Sequence, residues 1–245
     1  MGQEQILAAD ALGKRYGSHW AVRNVCFAAE KGDILGILGE NGAGKSTLLS
    51  MLAALIPQTE GKLLFKGEEV KKKRAYRTQI GYVPQEIALF EELSGQDNLE
   101  FFARGYGLSN QQAADRIERA CAVTSFQTEW LKRPVSEYSG GMKRKINIGA
   151  ALLHQPPLLL LDEPTANLDF ASEEQIMEAI KALAAEGVTI IYVGHQPELM
   201  EQLCNKFCLI KGGKQLLFDT MEHGLCGKSG ERLSLKQRCR ELLEA

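Results

Sequence analysis

Short apolar runs alternate with amphipathic segments along most of this chain. Three of the apolar runs are residues 34–38, 158–161 and 188–193. Each is bounded by glycine, proline or charged residues, which is typical of short strands buried on both faces. Amphipathic patterns predict helices at residues 46–55, 140–153 and 172–185. Strands that alternate with helices in this way predict an α/β fold built on a mainly parallel sheet.

Other parts of the chain depart from this alternation. Residues 5–30 alternate loosely and contain several glycines, so we predict short antiparallel strands there. Strand-like patterning returns at residues 61–83. In residues 92–133 apolar positions recur at helical spacings among charged ones, which predicts an inserted helical region. A glycine pair predicts a hairpin at residues 211–214, and a charged helix is expected near residues 231–244.

Composition and charge narrow the possible partners. The 245 residues are 44% hydrophobic and 24% charged, which is ordinary for a globular protein. The net charge is −2 and the basic run at residues 71–74 is short, so no nucleic-acid partner is expected. No apolar run approaches the roughly 20 residues that cross a bilayer, and residues 1–11 lack a signal-peptide pattern. We therefore expect any membrane role to depend on another chain.

A glycine-rich segment at residues 39–46 matches the pattern G-x-x-x-x-G-K-[ST], between a predicted strand and a predicted helix. Its glycines allow backbone N–H groups to surround an anion, and the helix directs its positive end to the same point. The alternative, a turn that binds nothing, is weak because every position is filled. We predict that Lys45 reaches the β- and γ-phosphates of ATP and that the Ser46 hydroxyl binds Mg²⁺. The predicted ATP-binding residues in this loop are Gly39, Glu40, Asn41, Gly42, Ala43, Gly44, Lys45, Ser46 and Thr47.

Two carboxylates, Asp162 and Glu163, follow the apolar run at residues 158–161. In open α/β sheets, ligands bind at the carboxyl ends of the strands. We predict that Asp162 binds Mg²⁺ and that Glu163 polarises an attacking water molecule. Alone, this pattern could also be a capped strand end. Together with the glycine-rich loop, it predicts hydrolysis of a nucleoside triphosphate.

The segment Tyr138-Ser139-Gly140-Gly141-Met142 resembles the signature segment of ATP-binding-cassette (ABC) ATPases, which is usually Leu-Ser-Gly-Gly-Gln. A serine hydroxyl and glycine N–H groups at a helix start form a second anion site. In the family this segment closes on the nucleotide of the opposite subunit. The resemblance therefore implies that Ser139, Gly140 and Gly141 contact ATP held by a partner, and that hydrolysis requires a dimer.

The signature segment differs from the family pattern at two positions. Tyr138 stands where leucine is usual, and Met142 stands where glutamine is usual. The Ser-Gly-Gly centre is kept, so we expect an active site. With the basic residues 143–145 that follow, the segment is similar to that of ATPases paired with ABC-2-type membrane subunits, many of which are exporters.

Other matches follow in the order that the family has them. Gln85 corresponds to the glutamine that approaches Mg²⁺ and the attacking water and reports to the membrane subunit. Asp169 lies in a segment similar to the loop that crosses the dimer interface. His195 follows a predicted strand, like the histidine that contacts the γ-phosphate. The resemblance thus implies a catalytic set of Glu163, His195 and Gln85, and Mg²⁺ ligands Ser46, Gln85 and Asp162.

Adenine recognition is assigned to an aromatic residue near the N-terminus. Tyr16 is placed like the family's aromatic residue that stacks on adenine, although His19 and Trp20 are nearby alternatives. Stacking of this kind tolerates different sequences because any flat π face provides it. We therefore expect Tyr16 to contact the base of ATP.

The resemblance implies one ABC ATPase domain over residues 1–245, with a P-loop NTPase (RecA-like) core. We expect residues 1–85 and 157–225 to form this core and an N-terminal antiparallel β subdomain. Residues 86–156 should form an inserted α-helical subdomain, and residues 226–245 a C-terminal helical tail. The implied partners are a second ATPase subunit, identical or different, and ABC transmembrane subunits. The expected location is the cytoplasmic face of a membrane.

Three alternatives remain beside an ABC exporter subunit. A soluble ABC ATPase that acts in cofactor assembly, translation or repair has a similar cassette. A regulatory cassette that binds nucleotide without hydrolysis would lack Glu163 or His195, and both are present. A P-loop kinase would need a lid for an acceptor substrate, and it would leave the Ser-Gly-Gly segment without a role.

Overall fold

The computed structural model of the protein describes residues 4–227 and 230–244. Its strands are β1 (Gln5–Tyr16), β2 (His19–Glu30), β3 (Ile34–Leu38), β4 (Glu60–Phe65), β5 (Glu68–Glu69), β6 (Ile80–Val83), β7 (Leu158–Asp162), β8 (Thr189–Val193), β9 (Lys206–Lys211) and β10 (Lys214–Thr220). Its α-helices are α1 (Lys45–Leu52), α2 (Lys73–Arg77), α3 (Gly95–Gly105), α4 (Asn110–Val123), α5 (Gly140–Leu152), α6 (Phe170–Ala185), α7 (Pro197–Leu203) and α8 (Leu235–Glu244). No helix in this described part of the chain has the length and apolarity needed to cross a membrane.

One sheet of ten strands organises the described residues, in the order β5-β4-β1-β2-β10-β9-β3-β8-β7-β6. Strands β9, β3, β8, β7 and β6 run parallel to one another, and every residue of β3, β7 and β8 is buried. Continuous apolar strands are expected where helices cover both faces of a sheet. The carboxyl ends of β3, β6, β7 and β8 therefore lie at one edge, where the predicted site residues follow them.

The N-terminal strands are longer than the sequence pattern predicts. β1 and β2 have 12 residues each, and their antiparallel register shifts at several points. Ala11 has φ 48° and Asn24 has φ 53°, which is left-handed backbone typical of bulges. A bulge moves the following side chains to the opposite face. The prediction of short strands was wrong because bulges, and not strand ends, interrupt the alternation.

Residues 61–83 are not entirely extended, and the strand prediction there was wrong in part. Helix α2 lies between β5 and β6 and includes part of the basic run. Its buried residue is Tyr76, whose hydroxyl donates to the Leu52 carbonyl at 2.6 Å. The Tyr76 ring packs edge-on against Phe65, with 5.1 Å between centroids. One buried aromatic residue on a five-residue helix leaves no helical periodicity in the sequence.

Several helix boundaries also differ from the sequence-based expectation. α1 ends at Leu52 and not at residue 55, because Ala54 has left-handed backbone with φ 53°. α8 begins at Leu235 and not near residue 231. α7 was not predicted, and its Pro197 occupies a first-turn position, where no N–H is needed. Residues 1–3, 228, 229 and 245 of the predicted subdomain and tail lie outside the described residues.

Helices α3, α4 and α5 share an apolar cluster of their own, separate from the clusters that cover the two faces of the sheet. Serine caps begin the helices: Ser94 accepts from Asp97 N at α3, and Ser109 forms a reciprocal capping box with Gln112 at α4. The structure therefore contains the helical insertion that hydrophobic periodicity predicts. Its assignment as a separate subdomain over residues 86–156 stays a proposal.

Candidate nucleotide-binding site

The glycine-rich loop connects β3 to α1 and packs tightly against neighbouring backbone. A Cβ on Gly39 would lie 2.4 Å from the Ile210 carbonyl oxygen. Gly44 caps α1 with φ 103°, and a Cβ there would lie 2.3 Å from the Ala21 carbonyl oxygen. Both positions therefore require glycine, one for close approach and one for backbone conformation as well. The loop therefore packs closely against β2 and β9.

Lys45 is buried within this loop, with 6% of its surface exposed. Its Nζ donates to the carbonyls of Gly39 at 2.7 Å and Glu40 at 3.1 Å. Burial lowers the pKa of Lys45, while the nearby carboxylates of Glu163 and Asp162 raise it. The ammonium group is thus fixed at the helix start, beside the two acidic residues at the end of β7.

Most of the remaining loop residues lie on the open side of the structure. Side chains of Glu40, Asn41 and Ser46 are exposed, and Thr47 is half-buried in the first turn of α1. Gly42 has φ 80°, which turns the loop backbone. Ala43 is buried in the core cluster below. The loop therefore exposes the start of α1, where backbone N–H groups have no helical partner.

Asp162 ends β7 and is 8% exposed. Burial raises the pKa of Asp162, and the Glu163 carboxylate raises it further, whereas Lys45 and Arg144 lower it. The charged form of Asp162 is therefore disfavoured by its surroundings until another cation approaches. This environment fits a divalent cation at the Asp162 carboxylate.

Glu163 has left-handed backbone with φ 45°, which costs about 1–3 kcal/mol for a residue with a side chain. Its N–H donates to the Val193 carbonyl at 3.0 Å, which joins the ends of β7 and β8. Such strain persists only where surrounding contacts hold the residue in place. Here the conformation turns the chain at the strand end.

The Glu163 carboxylate contacts two other predicted catalytic residues. Gln85 Nε2 donates to Glu163 Oε2 at 3.1 Å. His195 Nδ1 lies 3.3 Å from Glu163 Oε1, and since a carboxylate only accepts, Nδ1 carries the proton. The His195 side chain is 51% exposed and that of Glu163 is 15% exposed. The fold thus brings together three residues that are far apart in sequence, with His195 on the solvent side.

Tyr16 lies at the end of β1, opposite His19 across the β1–β2 turn, and is 51% exposed. Each ring has a cation beside it: Lys14 Nζ lies 5.2 Å from the Tyr16 ring centroid, and two arginine guanidinium groups each lie 5.4 Å from the Trp20 ring centroid. Trp20 is only half-exposed, so Tyr16 is the more accessible of the two rings. Its contact with adenine stays a prediction.

The Ser-Gly-Gly segment begins α5 at the tip of the helical insertion. Ser139 is the N-cap, and its Oγ accepts from Met142 N at 3.2 Å. Ser139 and Gly140 are exposed. A Cβ on Gly140 would meet Leu168 Cδ2 at 4.0 Å as its nearest described neighbour. This helix start is therefore accessible to a ligand or to another chain.

Asp169 lies beside that helix start, as the N-cap of α6. Its carboxylate accepts from the N–H of Ser172 at 2.9 Å and from the Ser172 hydroxyl at 2.8 Å. These hydrogen bonds lower the pKa of Asp169. A Cβ on Gly141 would lie 2.3 Å from Ser172 Oγ, so glycine is required where the two helix starts meet. Asp169 thus adjoins the exposed residues Ser139 and Gly140, whereas Gly141 is buried between the two helix starts.

Tyr138 is buried in the cluster shared by α3, α4 and α5. Its hydroxyl donates to the Trp130 carbonyl at 2.8 Å, and a Cβ on Gly95 would lie 2.3 Å from that hydroxyl. Met142 is half-buried against the same cluster. Tyr138 and Met142, the two residues that differ from the usual signature sequence, therefore pack inside the helical insertion and away from the exposed Ser139.

Sequence reasoning gave Arg144 no role of its own. The structure buries it to 5% exposure, with Nη1 donating to the Pro84 carbonyl at 2.8 Å and Nη2 to the Gln85 carbonyl at 2.6 Å. Three consecutive basic residues on a helix that is otherwise rich in apolar and small residues could have signalled such a contact. The sequence could not show which segment would receive it.

Comparisons with known proteins agree with this geometry. The family model described as "ABC transporter" matches residues 22–166. The chain is 40% identical over 226 residues to the linearmycin resistance ATP-binding protein LnrL of Bacillus subtilis, covering 92% of this chain and 72% of that protein. It is 36% identical over 212 residues to a Nod factor export ATP-binding protein I of Cupriavidus metallidurans, covering 86% and 70% respectively. A solved structure of an ATP-binding subunit of an ABC transporter is 27% identical, covers 97% of this chain and 99% of that one, and superposes with a TM-score of 0.88.

Proposed function

This chain belongs to the ABC transporter family, as an ATP-binding subunit, and we propose that it hydrolyses ATP to drive export through separate membrane proteins. The observation that carries the proposal is the Glu163 carboxylate, which contacts Gln85 and His195 close to the phosphate-binding loop. Names of relatives at 40% and 36% identity refer to resistance and export, which supports transport out of the cell.

The phosphate-binding loop binds the triphosphate of ATP in this proposal. Backbone N–H groups at the start of α1 donate hydrogen bonds to the phosphate oxygens. Lys45 moves its hydrogen bonds from loop carbonyls to the β- and γ-phosphates. Tyr16 stacks on the adenine. Ser46, Asp162 and Gln85 would hold Mg²⁺, which neutralises charge on the phosphates. The raised pKa of Asp162 supports this ligand set, because a cation would favour its charged form.

Hydrolysis depends on the three residues at the ends of β6, β7 and β8. Glu163 accepts a hydrogen bond from the attacking water and orients it towards the γ-phosphate. Gln85 and His195 hold the Glu163 carboxylate in place through their hydrogen bonds. His195 is exposed enough to contact a γ-phosphate once ATP is bound. These roles are proposed from the contacts of the side chains with one another.

A second subunit completes the site. Ser139, Gly140 and Asp169 are exposed at adjoining helix starts, which is the arrangement that receives an anion. We infer that they contact ATP bound to the phosphate loop of a partner subunit. Binding of ATP then closes the dimer, and loss of the γ-phosphate opens it.

The membrane partner is proposed to dock on an exposed apolar patch that follows Gln85 in the sequence. This patch consists of Phe90, Leu93 and Phe101, which are 46%, 40% and 54% exposed. The Phe90 and Phe101 rings pack edge-to-face, with 5.0 Å between centroids. Clustered exposed apolar side chains often mark interaction sites. Docking there would place the chain at the cytoplasmic face of a membrane and next to the catalytic glutamine.

The enzyme proposal is tested by comparing the wild-type chain with Glu163→Gln. We expect the substitution to lower the rate of phosphate release by roughly 100-fold or more, because it removes the acceptor for the attacking water. Binding of MANT-ATP should stay within about twofold, since the side-chain hydrogen bonds of Glu163 among the described residues go to Gln85 and His195 and not to the loop. If both proteins release phosphate at the same rate, with and without a copurifying membrane protein, the hydrolytic proposal is wrong. Copurification with soluble partners alone would contradict transport.

A further inference from the structure

The turn that follows β7 contains strained backbone at two positions. Glu163 has φ 45° and Asn167 has φ 61°, and neither residue is glycine. Within the turn, the N–H of Ala166 donates to the Glu163 carbonyl at 3.1 Å. Left-handed backbone at residues with side chains persists only where neighbouring groups hold it, and it clusters at active sites. The side chains that hold this turn therefore bear on the position of the Glu163 carboxylate.

A tyrosine on the neighbouring strand contacts this turn from inside the protein. Tyr192 lies in β8 and is 2% exposed, and Thr165, in the middle of the turn, is 5% exposed. Their hydroxyl groups share a hydrogen bond of 2.8 Å, in which either oxygen can donate. A buried tyrosine hydroxyl usually has a hydrogen-bond partner, because an unpaired one has lost its contact with water. The partner of Tyr192 is the turn that begins at Glu163.

The aromatic ring of Tyr192 packs against the segment that carries His195. A Cβ on Gly194 would lie 2.9 Å from Tyr192 Cε1, so glycine allows the ring to approach the backbone there. Gly194 directly precedes His195 in the chain. Glu163, Tyr192 and His195 also line the same small recess. One buried side chain thus contacts both the turn after Glu163 and the backbone before His195.

We propose that Tyr192 is a positioning residue that fixes Glu163 and His195 relative to each other for hydrolysis. Its hydroxyl holds Thr165, which keeps the turn in the conformation that presents the Glu163 carboxylate to His195. Its ring supports the backbone on the His195 side. Tyr192 acts through these residues, because its own side chain is buried. This inference rests on the proposed function.

The hydrogen bond between Tyr192 and Thr165 is suited to this role because both hydroxyl groups are shielded from water. Burial raises the pKa of the Tyr192 phenol, so the hydroxyl keeps its proton at neutral pH. Water does not readily replace a bond between two buried groups, and removal of one hydroxyl leaves the other without this partner. Loss of either hydroxyl is therefore expected to loosen the turn, while the apolar packing of the Tyr192 ring remains.

The test measures kcat in the full chain for Tyr192→Phe, for Thr165→Val and for the double variant. Each single substitution removes one hydroxyl at nearly constant volume and should lower kcat roughly fivefold to tenfold, because a misplaced catalytic group loses much of its effect. The double variant should lose no more than about twofold beyond either single variant, since residues that act as one unit are not additive. Thr165→Ser keeps a hydroxyl, and its kcat should stay within about twofold of the wild-type value.

Two controls separate positioning from a general loss of stability. Tyr76→Phe removes another buried tyrosine hydroxyl, whose hydrogen bond at 2.6 Å goes to the Leu52 carbonyl and not to a catalytic residue. It should lower the melting temperature about as much as Tyr192→Phe does and leave kcat within about twofold. The dissociation constant for MANT-ATP should stay within about twofold in every variant, because the bond between Tyr192 and Thr165 does not involve the phosphate-binding loop. If Tyr192→Phe does not fold, the comparison of Thr165→Val with Thr165→Ser decides the question.

The outcomes distinguish the inference from the proposed function. A loss of kcat in Tyr192→Phe no larger than that in Tyr76→Phe would overturn the inference, and so would losses that multiply in the double variant. Equally slow phosphate release by the wild-type and Glu163→Gln proteins would instead contradict the hydrolytic function itself. The expected result is a roughly fivefold to tenfold loss of kcat that Tyr192→Phe and Thr165→Val share and that Thr165→Ser does not show.

Discussion

The phosphate-binding loop and the Ser-Gly-Gly segment present the same chemistry in opposite settings. Each places glycines and a polar side chain at a helix start, where backbone N–H groups attract an anion. The loop is packed against β2 and β9, and its Lys45 is 6% exposed. Ser139 and Gly140 are exposed, and Gly140 has free space around it. One anion site is thus built within the chain, and the other faces outward.

In the proposed dimer, this difference would allow each chain to supply one half of each of two nucleotide sites. Tight packing behind the loop keeps its N–H groups oriented before ATP arrives. The outward segment is exposed at Ser139 and Gly140, and it is anchored by Gly141 against α6 and by the buried residues 144–151 of α5. An anion site of that kind is useful when its ligand is carried by another subunit. Three predictions test whether the contrast holds.

The largest expected effect concerns Lys45 and Ser139, the polar side chains of the two anion sites. Lys45→Ala should weaken MANT-ATP binding by about 3 kcal/mol, roughly 100-fold, because it removes a buried charge-assisted contact to phosphate. Ser139→Ala should leave the affinity of the monomer within about twofold. Titration by fluorescence at low protein concentration measures both. Equal losses in the two variants would mean that the Ser-Gly-Gly segment contacts nucleotide within the same chain.

The two glycines should differ in their effect on folding. Gly44→Ala forces φ 103° and a contact of 2.3 Å with the Ala21 carbonyl, so it should lower the free energy of unfolding by about 2 kcal/mol. Gly140→Ala has space for its Cβ and should change that free energy by less than about 0.5 kcal/mol. Urea denaturation of the matched pair measures both values. A large loss for Gly140→Ala would show that the outward segment is packed in the native protein.

The smallest effect concerns the base of α5, where His154 follows the helix. Its Nε2–H donates to the Ile80 carbonyl at 3.1 Å, and its ring stacks on Tyr106 with 4.0 Å between centroids. Burial lowers the pKa of His154, and Nδ1 has no hydrogen-bond partner among the described residues. The unfolded chain therefore takes up a proton more readily than the folded chain as pH falls through about 6.5.

Stability should consequently decrease as pH falls from 7.5 to 5.5, and His154→Gln should reduce that decrease. Glutamine keeps a donor for Ile80 and removes the titration. The measurement is urea denaturation of both proteins at the two pH values. If the two proteins lose the same free energy of unfolding over this range, His154 is not the group that titrates.

Much of the fold was predictable because it is encoded in consecutive residues. Runs that are apolar throughout became the buried strands β3, β7 and β8, and the α/β fold of the P-loop NTPase class is confirmed by structural similarity. Membership of the ABC transporter family, as an ATP-binding subunit, is also confirmed, and export stays a proposal. The roles of individual site residues stay predictions.

Local sequence alone determined the phosphate-binding loop, since its glycines, its lysine and the following helix are contiguous. It did not determine the contact of Gln85 and His195 with Glu163, which lie 78 and 32 residues away from it. Those contacts depend on the order of β6, β7 and β8 in the sheet. The bulges of β1 and β2, the helix built around Tyr76 and the placement of Arg144 also required the tertiary structure. In each case the structure depends on contact with a segment that is distant in sequence. Hydrophobic periodicity does not indicate which segment that will be.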